Sequence, residues 1–413
     1  MTAPPSATPA APAHRDPALH AATPGQLHWL EGELRRWEAD GLVDEGTART
    51  IRARYVATRR LTLSRIVLTL GACFVGLGVV WLVASNLDEM PPALRFGLLV
   101  LVWLGLVAGA EVLATRRDRD GDIASPVLGA ARLLAGAAYG AVVFQAAQSL
   151  QVPAYEPLLV AVWALGVLLW AYAVRGTAPL VLGVVLLAFW FVWQVTSASD
   201  DAFSVSTSLA AAGLAGAALG VAHTAVGWPE LAVPWRELGA VLVLVGLFVA
   251  ALPYAWGEAD ATLVLWVGIA ASLLLAAVAL WRGNRLDRLE VGLAVLGLAA
   301  TAGLSLWQLD EAVTDTADLP PGAWLRAVVA VVSYLLIASG YAVLGGMRDT
   351  GRLTWVATAA LVVFVTVQAF AVFAPILSGA ALFLVVGIIL LGTGLLADRG
   401  RRRLLREARE TRS

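Results

Sequence analysis

Residues 132–152, RLLAGAAYGAVVFQAAQSLQV, decide what kind of protein this chain is. The stretch is almost entirely apolar and has the length of about 20 residues that a helix needs to cross a bilayer. It nevertheless contains Gln145, Gln148 and Gln151, and an uncharged amide in hydrocarbon needs a hydrogen-bond partner. We therefore predict a membrane-spanning helix here and expect any functional site to lie on it.

The composition of the whole chain agrees with a membrane protein. Hydrophobic residues make up 59% of the 413 residues and charged residues only 14%, and the mean hydropathy is +0.78. Such values are typical of integral membrane proteins and exclude an ordinary soluble domain. The basic residues are all arginine and lie at the ends of apolar stretches, so we predict no nucleic-acid partner.

The sequence predicts no metal site and no cofactor. Its single cysteine, Cys73, lies in an apolar stretch, and its four histidines are scattered. No CxxC, HExxH or P-loop pattern occurs.

The N-terminal part of the chain divides into two segments. Residues 1–22 are rich in Pro and Ala, which predicts a disordered tail. Residues 23–62 predict a cytoplasmic amphipathic helical hairpin: the first helix ends at Gly41, and the second begins at Asp44 and runs through Tyr55 towards Arg60. A unit of this size buries little core by itself. We therefore expect it to pack on the membrane domain or on a second copy, or to contact a protein partner.

From residue 63 onwards apolar stretches alternate with short polar loops. The predicted class is all-α, a polytopic transmembrane helical bundle that occupies residues 63–397 and ends in a basic cytoplasmic tail, 398–413. Twelve spans are predicted, at residues 64–85, 93–114, 130–151, 157–174, 178–196, 205–225, 236–256, 261–281, 289–308, 323–346, 353–373 and 376–397.

Charge in the loops gives the orientation. Alternate loops are rich in arginine, which marks the cytoplasmic side, and the loops between them are acidic. The pattern predicts an inner-membrane protein with both termini in the cytoplasm. Tryptophans near span ends, among them Trp228, Trp235, Trp281 and Trp355, are interpreted as anchors at the membrane surface.

Two arginines near the acidic side share a local pattern. Asp88 precedes Pro-Pro and Arg95, and Asp318 precedes Pro-Pro and Arg326. The prolines favour an extended entry to a helix, and each arginine can reach back towards its acid. We predict contacts between each arginine and its acid on the outer face.

Several of these segments resemble a known family. The hairpin with Gly41-Leu-Val and Tyr55, the Asn86-Leu-Asp88 loop, and Tyr139-Gly140-Ala141 leading to Gln145 are similar to the bacterial predicted membrane proteins with domain of unknown function 2157. The resemblance covers residues 25–200. It implies a multispan inner-membrane protein with a cytoplasmic N-terminal segment, and it implies no particular reaction.

The candidate site is polar and uncharged. Gln145 and Gln148 lie on neighbouring positions of one helix face, and Tyr139, Gln194 and Gln368 could join them from the same or other spans. Alternatively, these side chains make interhelical hydrogen bonds that hold the bundle together, each contributing about 0.6 to 2 kcal/mol.

Two acids lie near the inner ends of spans. Glu111 is expected to pair with Arg116, and Glu290 with Arg288. Because no charged side chain is predicted at mid-span, a proton-coupled pump is disfavoured.

Three functions remain open at this point. A structural, sensing or assembly component of the membrane is preferred. The alternative is a transporter or flippase for an uncharged or lipidic substrate, lined by the Gln145 face. A membrane glycosyl- or acyltransferase ranks third, because no paired mid-span carboxylate is present.

Overall fold

The computed structural model describes residues 20–22, 24–57, 91–120, 125–153, 155–252, 259–307, 321–348 and 350–373, and five positions between 67 and 78. The chain divides into two compact units, Met1–Gly71 and Ala72–Ser413. The predicted contacts of Asp88 and Asp318, most of the first predicted span, the last span and the basic tail lie outside the described residues.

The first unit contains two helices and a pair of short strands. These elements are β1 (His20–Ala22), α1 (Pro24–Ala39), α2 (Glu45–Ala53) and β2 (Tyr55–Ala57), and the two strands pair in parallel. The buried residues of this unit include Leu27, Leu34 and Ala48. An ion pair of 2.6 Å between Arg52 Nε and Glu31 Oε1 joins the two helices.

Local signals set the helix ends of this unit. Gly41 follows α1 with a φ of 69°, a left-handed conformation that glycine adopts without strain. Asp44 caps α2 by accepting a hydrogen bond of 2.8 Å from the Thr47 N–H, and hydrogen bonds from Thr47 lower the pKa of Asp44. The second helix is shorter than predicted, because Tyr55–Ala57 leaves it to pair with His20–Ala22, inside the predicted tail.

In the described part of the second unit, every element of secondary structure is a helix. Its helices are α3 (Pro92–Asp120), α4 (Ser125–Ser149), α5 (Pro157–Ala173), α6 (Thr177–Thr196), α7 (Ala202–Ala225), α8 (Pro229–Ala250), α9 (Leu263–Arg282), α10 (Arg285–Leu306), α11 (Pro321–Met347) and α12 (Gly351–Phe373). Nine of them in the described part of the chain are long and apolar enough to cross a membrane, and α5 is a shorter apolar helix. These ten helices correspond in order to the second to eleventh predicted spans. The total of twelve stays a prediction.

Helix α7 lies at the centre of the bundle. In its most apolar stretch 67% of the residues are buried, against 22% in α9. A turn at Gly227, which has a φ of 82°, leads directly into α8. Small residues let α7 and α8 touch backbone to backbone: a Cβ atom added to Gly213 would lie 2.7 Å from the Gly239 carbonyl oxygen. Such small-residue contacts are a common basis of helix association in membranes.

Short turns place several arginines at one end of the bundle. Arg175 lies in the turn between α5 and α6 and packs over Trp228, just before α8. Arg282 and Arg285 flank the turn between α9 and α10, and Arg348 lies between α11 and α12. We call this the arginine-rich end, and the opposite one the arginine-poor end.

Candidate functional site

Four charged side chains meet at the arginine-rich end. Arg236 of α8 donates to Asp287 Oδ1 and Glu290 Oε2, at 2.8 Å each. Arg348, which follows α11, donates to the same two atoms at 2.9 and 2.6 Å. We call Arg236, Asp287, Glu290 and Arg348 the charge cluster. It ties α8, α10 and α11 together by bonds between oppositely charged groups.

The cluster is well shielded from solvent. The side chain of Glu290 is 0% exposed and that of Asp287 7%, and the two arginine side chains are 12% and 14% exposed. Its formal charges cancel, which is the condition under which charged groups are tolerated in a low-dielectric interior. Glu290 Oε1 and the hydroxyl of Tyr341 have no hydrogen-bond partner among the described residues.

The start of α10 explains the position of the two acids. Asn284 caps α10, and it exchanges hydrogen bonds with Asp287 in a capping box. Asp287 therefore both caps the helix and binds the arginines, and Glu290 follows three residues later on the same face. The spacing of these two acids near several arginines is a sequence signal that could have indicated the site, but Asp287 was not singled out from the sequence.

Helix α7 also contacts Arg236. The Arg236 guanidinium donates to Thr224 Oγ1 at 2.9 Å and to the Gly220 carbonyl oxygen at 3.4 Å, both on α7. The Arg236 side chain lies against Gly220 where a Cβ atom would otherwise stand. The glycine thus makes room for the arginine.

A second polar group lies at the same end. Trp235 Nε1 donates to the Tyr172 hydroxyl at 2.9 Å, and that hydroxyl lies 2.8 Å from His223 Nε2. His223 Nδ1 lies 2.6 Å from the Leu219 carbonyl oxygen. Because a carbonyl only accepts, Nδ1 carries the proton in this arrangement and Nε2 accepts from Tyr172. Trp235 is buried, so the prediction that it anchors the surface is wrong.

The arginine-poor end is held by Arg326. Its buried guanidinium donates to the carbonyl oxygens of Ala250, Leu252, Leu304 and Trp307, at 3.0 to 3.3 Å. These carbonyls belong to the last turns of α8 and α10 and the residues that follow them, where helices leave acceptors unpaired and carry partial negative charge. Arg326 therefore caps two helices at once. Arg95 lies in the first turn of α3.

The four glutamines of the predicted site lie on three different helices, near their arginine-poor ends. Gln145 and Gln148 lie in the last turns of α4, where Gln148 is exposed. Gln194 lies near the end of α6, whereas Gln368 is buried and donates to the Ala251 carbonyl oxygen at 3.4 Å. Tyr139 packs on Trp103 and on the bare backbone of Gly166. In the part of the chain that the structure describes, no hydrogen bond joins these five side chains.

Both predicted acid partners were wrong. Glu111 pairs with Arg132 of the next helix at 2.9 Å, not with Arg116. Glu290 binds Arg236 and Arg348, not Arg288. In each case the partner comes from another part of the bundle. The arginines close to each acid in the sequence point to other faces of the acid's helix.

Residues 35–180 match a family model, Predicted membrane protein (DUF2157). This confirms the predicted resemblance over that segment, which runs from α1 into α6. No curated protein and no solved structure matches the chain. The charge cluster, at residues 236–348, lies beyond the matched segment.

The chain is thus a membrane protein with several apolar helices. Among the residues that the structure describes, no group of three or more His, Cys, Asp or Glu side chains could hold a metal ion. The site chemistry is that of ion pairing and helix capping. No partner of Arg236, Arg348 or His223 was predicted from the sequence, because their partners come from distant helices.

Proposed function

We propose that this protein is a structural or assembly component of the inner membrane, with its arginine-rich end and both termini in the cytoplasm. The observation that carries the proposal is that α8, α10 and α11 are tied to one another at both ends of the bundle. The charge cluster ties the arginine-rich end, and Arg326 ties the other. Between them, α7 and α8 are in backbone contact at Gly213 and Gly239.

A bundle held in this way favours a fixed arrangement over an alternating one. An alternating transporter must part its helices at each end in turn, and here parting them breaks buried ion pairs or uncovers helix-end carbonyls. The glutamines that would line a polar path are dispersed among α4, α6 and α12. These features support the structural function over transport.

The N-terminal unit supplies a contact surface for assembly. Trp29 is 62% exposed and Leu42 is 71% exposed, although both are large apolar side chains. Exposed apolar residues of this size are typical of protein contacts. We propose that residues 23–62 bind a second copy or a protein partner through them.

Cysteine accessibility tests the closed bundle. In a Cys73→Ser background, Ser206→Cys introduces a thiol at a position that is 0% exposed, and Ser197→Cys introduces one at an exposed position near the arginine-poor end. A membrane-impermeant maleimide is expected to label the second variant only. Labelling of Ser206→Cys from either side would favour the transporter.

The same reagent tests orientation. Arg285→Cys, exposed at the arginine-rich end, should react only after the membrane is opened, and Ser197→Cys should react in intact cells. The opposite result would invert the orientation.

Native electrophoresis of membrane extracts tests assembly. Trp29→Ala and Leu42→Ala should lower the mass of the complex that contains the full chain, and Arg35→Ala, also exposed, should not. An unchanged mass in the first two variants would remove the assembly proposal.

A further inference from the structure

A pocket opens beside the charge cluster, between the ends of α7 and α11 and the starts of α8, α10 and α12. Its volume is about 320 Å³. Its lining includes the charged residues Arg236, Glu237, Asp287 and Arg348 and the apolar residues Val233 and Leu353. The pocket therefore presents both signs of charge together with apolar side chains.

Exposed tryptophans show the depth of this pocket in the membrane. Trp228 is 37% exposed, Trp281 77% and Trp355 74%. They lie just before α8, at the end of α9 and in the second turn of α12, at the same end of the bundle as the pocket. Because tryptophans gather at the boundary between hydrocarbon and headgroups, the pocket lies at the level of the lipid headgroups.

The pocket offers both a cationic and an anionic side chain to a ligand. The charge cluster uses two of the five N–H groups of the Arg348 guanidinium, and Arg348 also lines the pocket. Glu237 is 26% exposed and faces Arg352 only at 3.9 Å, with that arginine 62% exposed. A pair of this kind is weak, so the Glu237 carboxylate can accept hydrogen bonds from another cation.

We propose that this pocket binds a phospholipid with a zwitterionic phosphoethanolamine headgroup. The phosphate binds Arg348, the ammonium binds Glu237, and the first carbons of the acyl chains lie along Val233 and Leu353. Bonds of both kinds are charge-assisted and therefore strong. This site does not depend on whether the bundle is structural or transports a substrate.

Charge and hydrogen bonding select this headgroup over its alternatives. An anionic headgroup without an ammonium could bind Arg348 through its phosphate but would offer no positive charge to Glu237. A choline headgroup carries a positive charge but has no N–H to donate to Glu237. A free headgroup without acyl chains would leave the apolar side chains uncovered, which loses the hydrophobic part of the binding.

Native mass spectrometry of the full chain in detergent tests the proposal. The probes are phosphatidylethanolamine, phosphatidylglycerol and phosphatidylcholine with identical chains, and soluble phosphoethanolamine. Phosphatidylethanolamine is expected to bind with the lowest Kd. Glu237→Gln should raise that Kd about tenfold through loss of a charge-assisted bond, and Glu230→Gln, exposed on the same helix outside the pocket, should leave it unchanged.

A second variant keeps the test decisive if Glu237→Gln does not fold. Val233→Trp fills the pocket and should abolish the preference for phosphatidylethanolamine, whereas Val245→Trp, on the exposed surface of the same helix, should retain it. Equal lipid binding by these two variants would overturn the site. Equal or stronger binding of phosphatidylglycerol would overturn the headgroup assignment, and equal binding of soluble phosphoethanolamine would overturn the lipid.

Discussion

Glu290→Gln removes one negative charge from the charge cluster and leaves its shape almost unchanged. In the native protein Glu290 Oε2 accepts hydrogen bonds from Arg236 at 2.8 Å and from Arg348 at 2.6 Å. The Glu290 side chain is 0% exposed, so water cannot reach this position to solvate the arginine charges that lose their partner. The variant would bury two guanidiniums with a single carboxylate, that of Asp287.

The size of the effect follows from burial. Removing one partner of a buried ion pair costs about 3 to 5 kcal/mol. Glutamine keeps a carbonyl oxygen that can accept from one arginine, which places the expected loss at the lower end, about 3 kcal/mol. The unfolding equilibrium constant should therefore rise on the order of a hundredfold.

Reversible unfolding by denaturing detergent in mixed micelles measures this loss. Glu237→Gln is the matched control, because its ion pair with Arg352 spans 3.9 Å and is partly exposed, with Glu237 at 26% and Arg352 at 62%. The control should lose about 0 to 1 kcal/mol in lipid-free micelles. A loss for Glu290→Gln no larger than that of Glu237→Gln would refute the view that the charge cluster stabilises the bundle.

Three further measurements address packing, capping and pH. Gly213→Ala should lower the free energy of unfolding by about 1 to 3 kcal/mol, because the added Cβ atom clashes with the backbone of α8. The control Gly303→Ala, with no atom within 4 Å of its Cβ, should be neutral or stabilising. Equal effects would contradict the close contact of α7 and α8. Arg326→Lys should lose about 1 to 3 kcal/mol because an ammonium cannot span four carbonyls, and the exposed Arg285→Lys should change little; a neutral Arg326→Lys would exclude the double cap. Burial raises the pKa of Asp201, but hydrogen bonds from Ser199 and Ser204 outweigh it, so its pKa is lowered below 3.8. A lowered pKa in the folded state gives stability that is present above pH 3.8 and lost as the pH falls through the folded-state pKa. In a pH series of unfolding, the difference in the free energy of unfolding between the native protein and Asp201→Asn should therefore shrink only below about pH 4. A constant difference would contradict this pKa shift of Asp201.

The sequence was informative wherever a local rule fixes the structure. Gly41 and Asp44 set the ends of α1 and α2 as predicted, because a left-handed glycine and a side-chain cap act within a few residues. Tyr55 was assigned to the second helix, but it lies in strand β2 and pairs with His20. Both helices of the unit lie between these two residues in the sequence. Local propensity carries no information about such a partner.

The candidate site shows the same division. Glu111 and Glu290 were recognised as interfacial acids from their positions near span ends. Their partners were assigned to arginines nearby in the sequence, but a helix turns nearby residues to different faces. Arg326 was expected to reach towards Asp318, yet its described contacts are with the ends of α8 and α10. That contact depends on how three helices pack.

Residues 132–152 and the other apolar stretches determined by themselves that this is a helical membrane protein. The reason is the bilayer, which requires each spanning segment to satisfy its backbone hydrogen bonds within its own helix. The tertiary structure alone decided where the charges meet: Arg236 and Glu290 are 54 residues apart, and Arg348 and Glu290 are 58 apart. Such pairs depend on which helix ends are neighbours and which faces they share, and packing in the assembled bundle sets both.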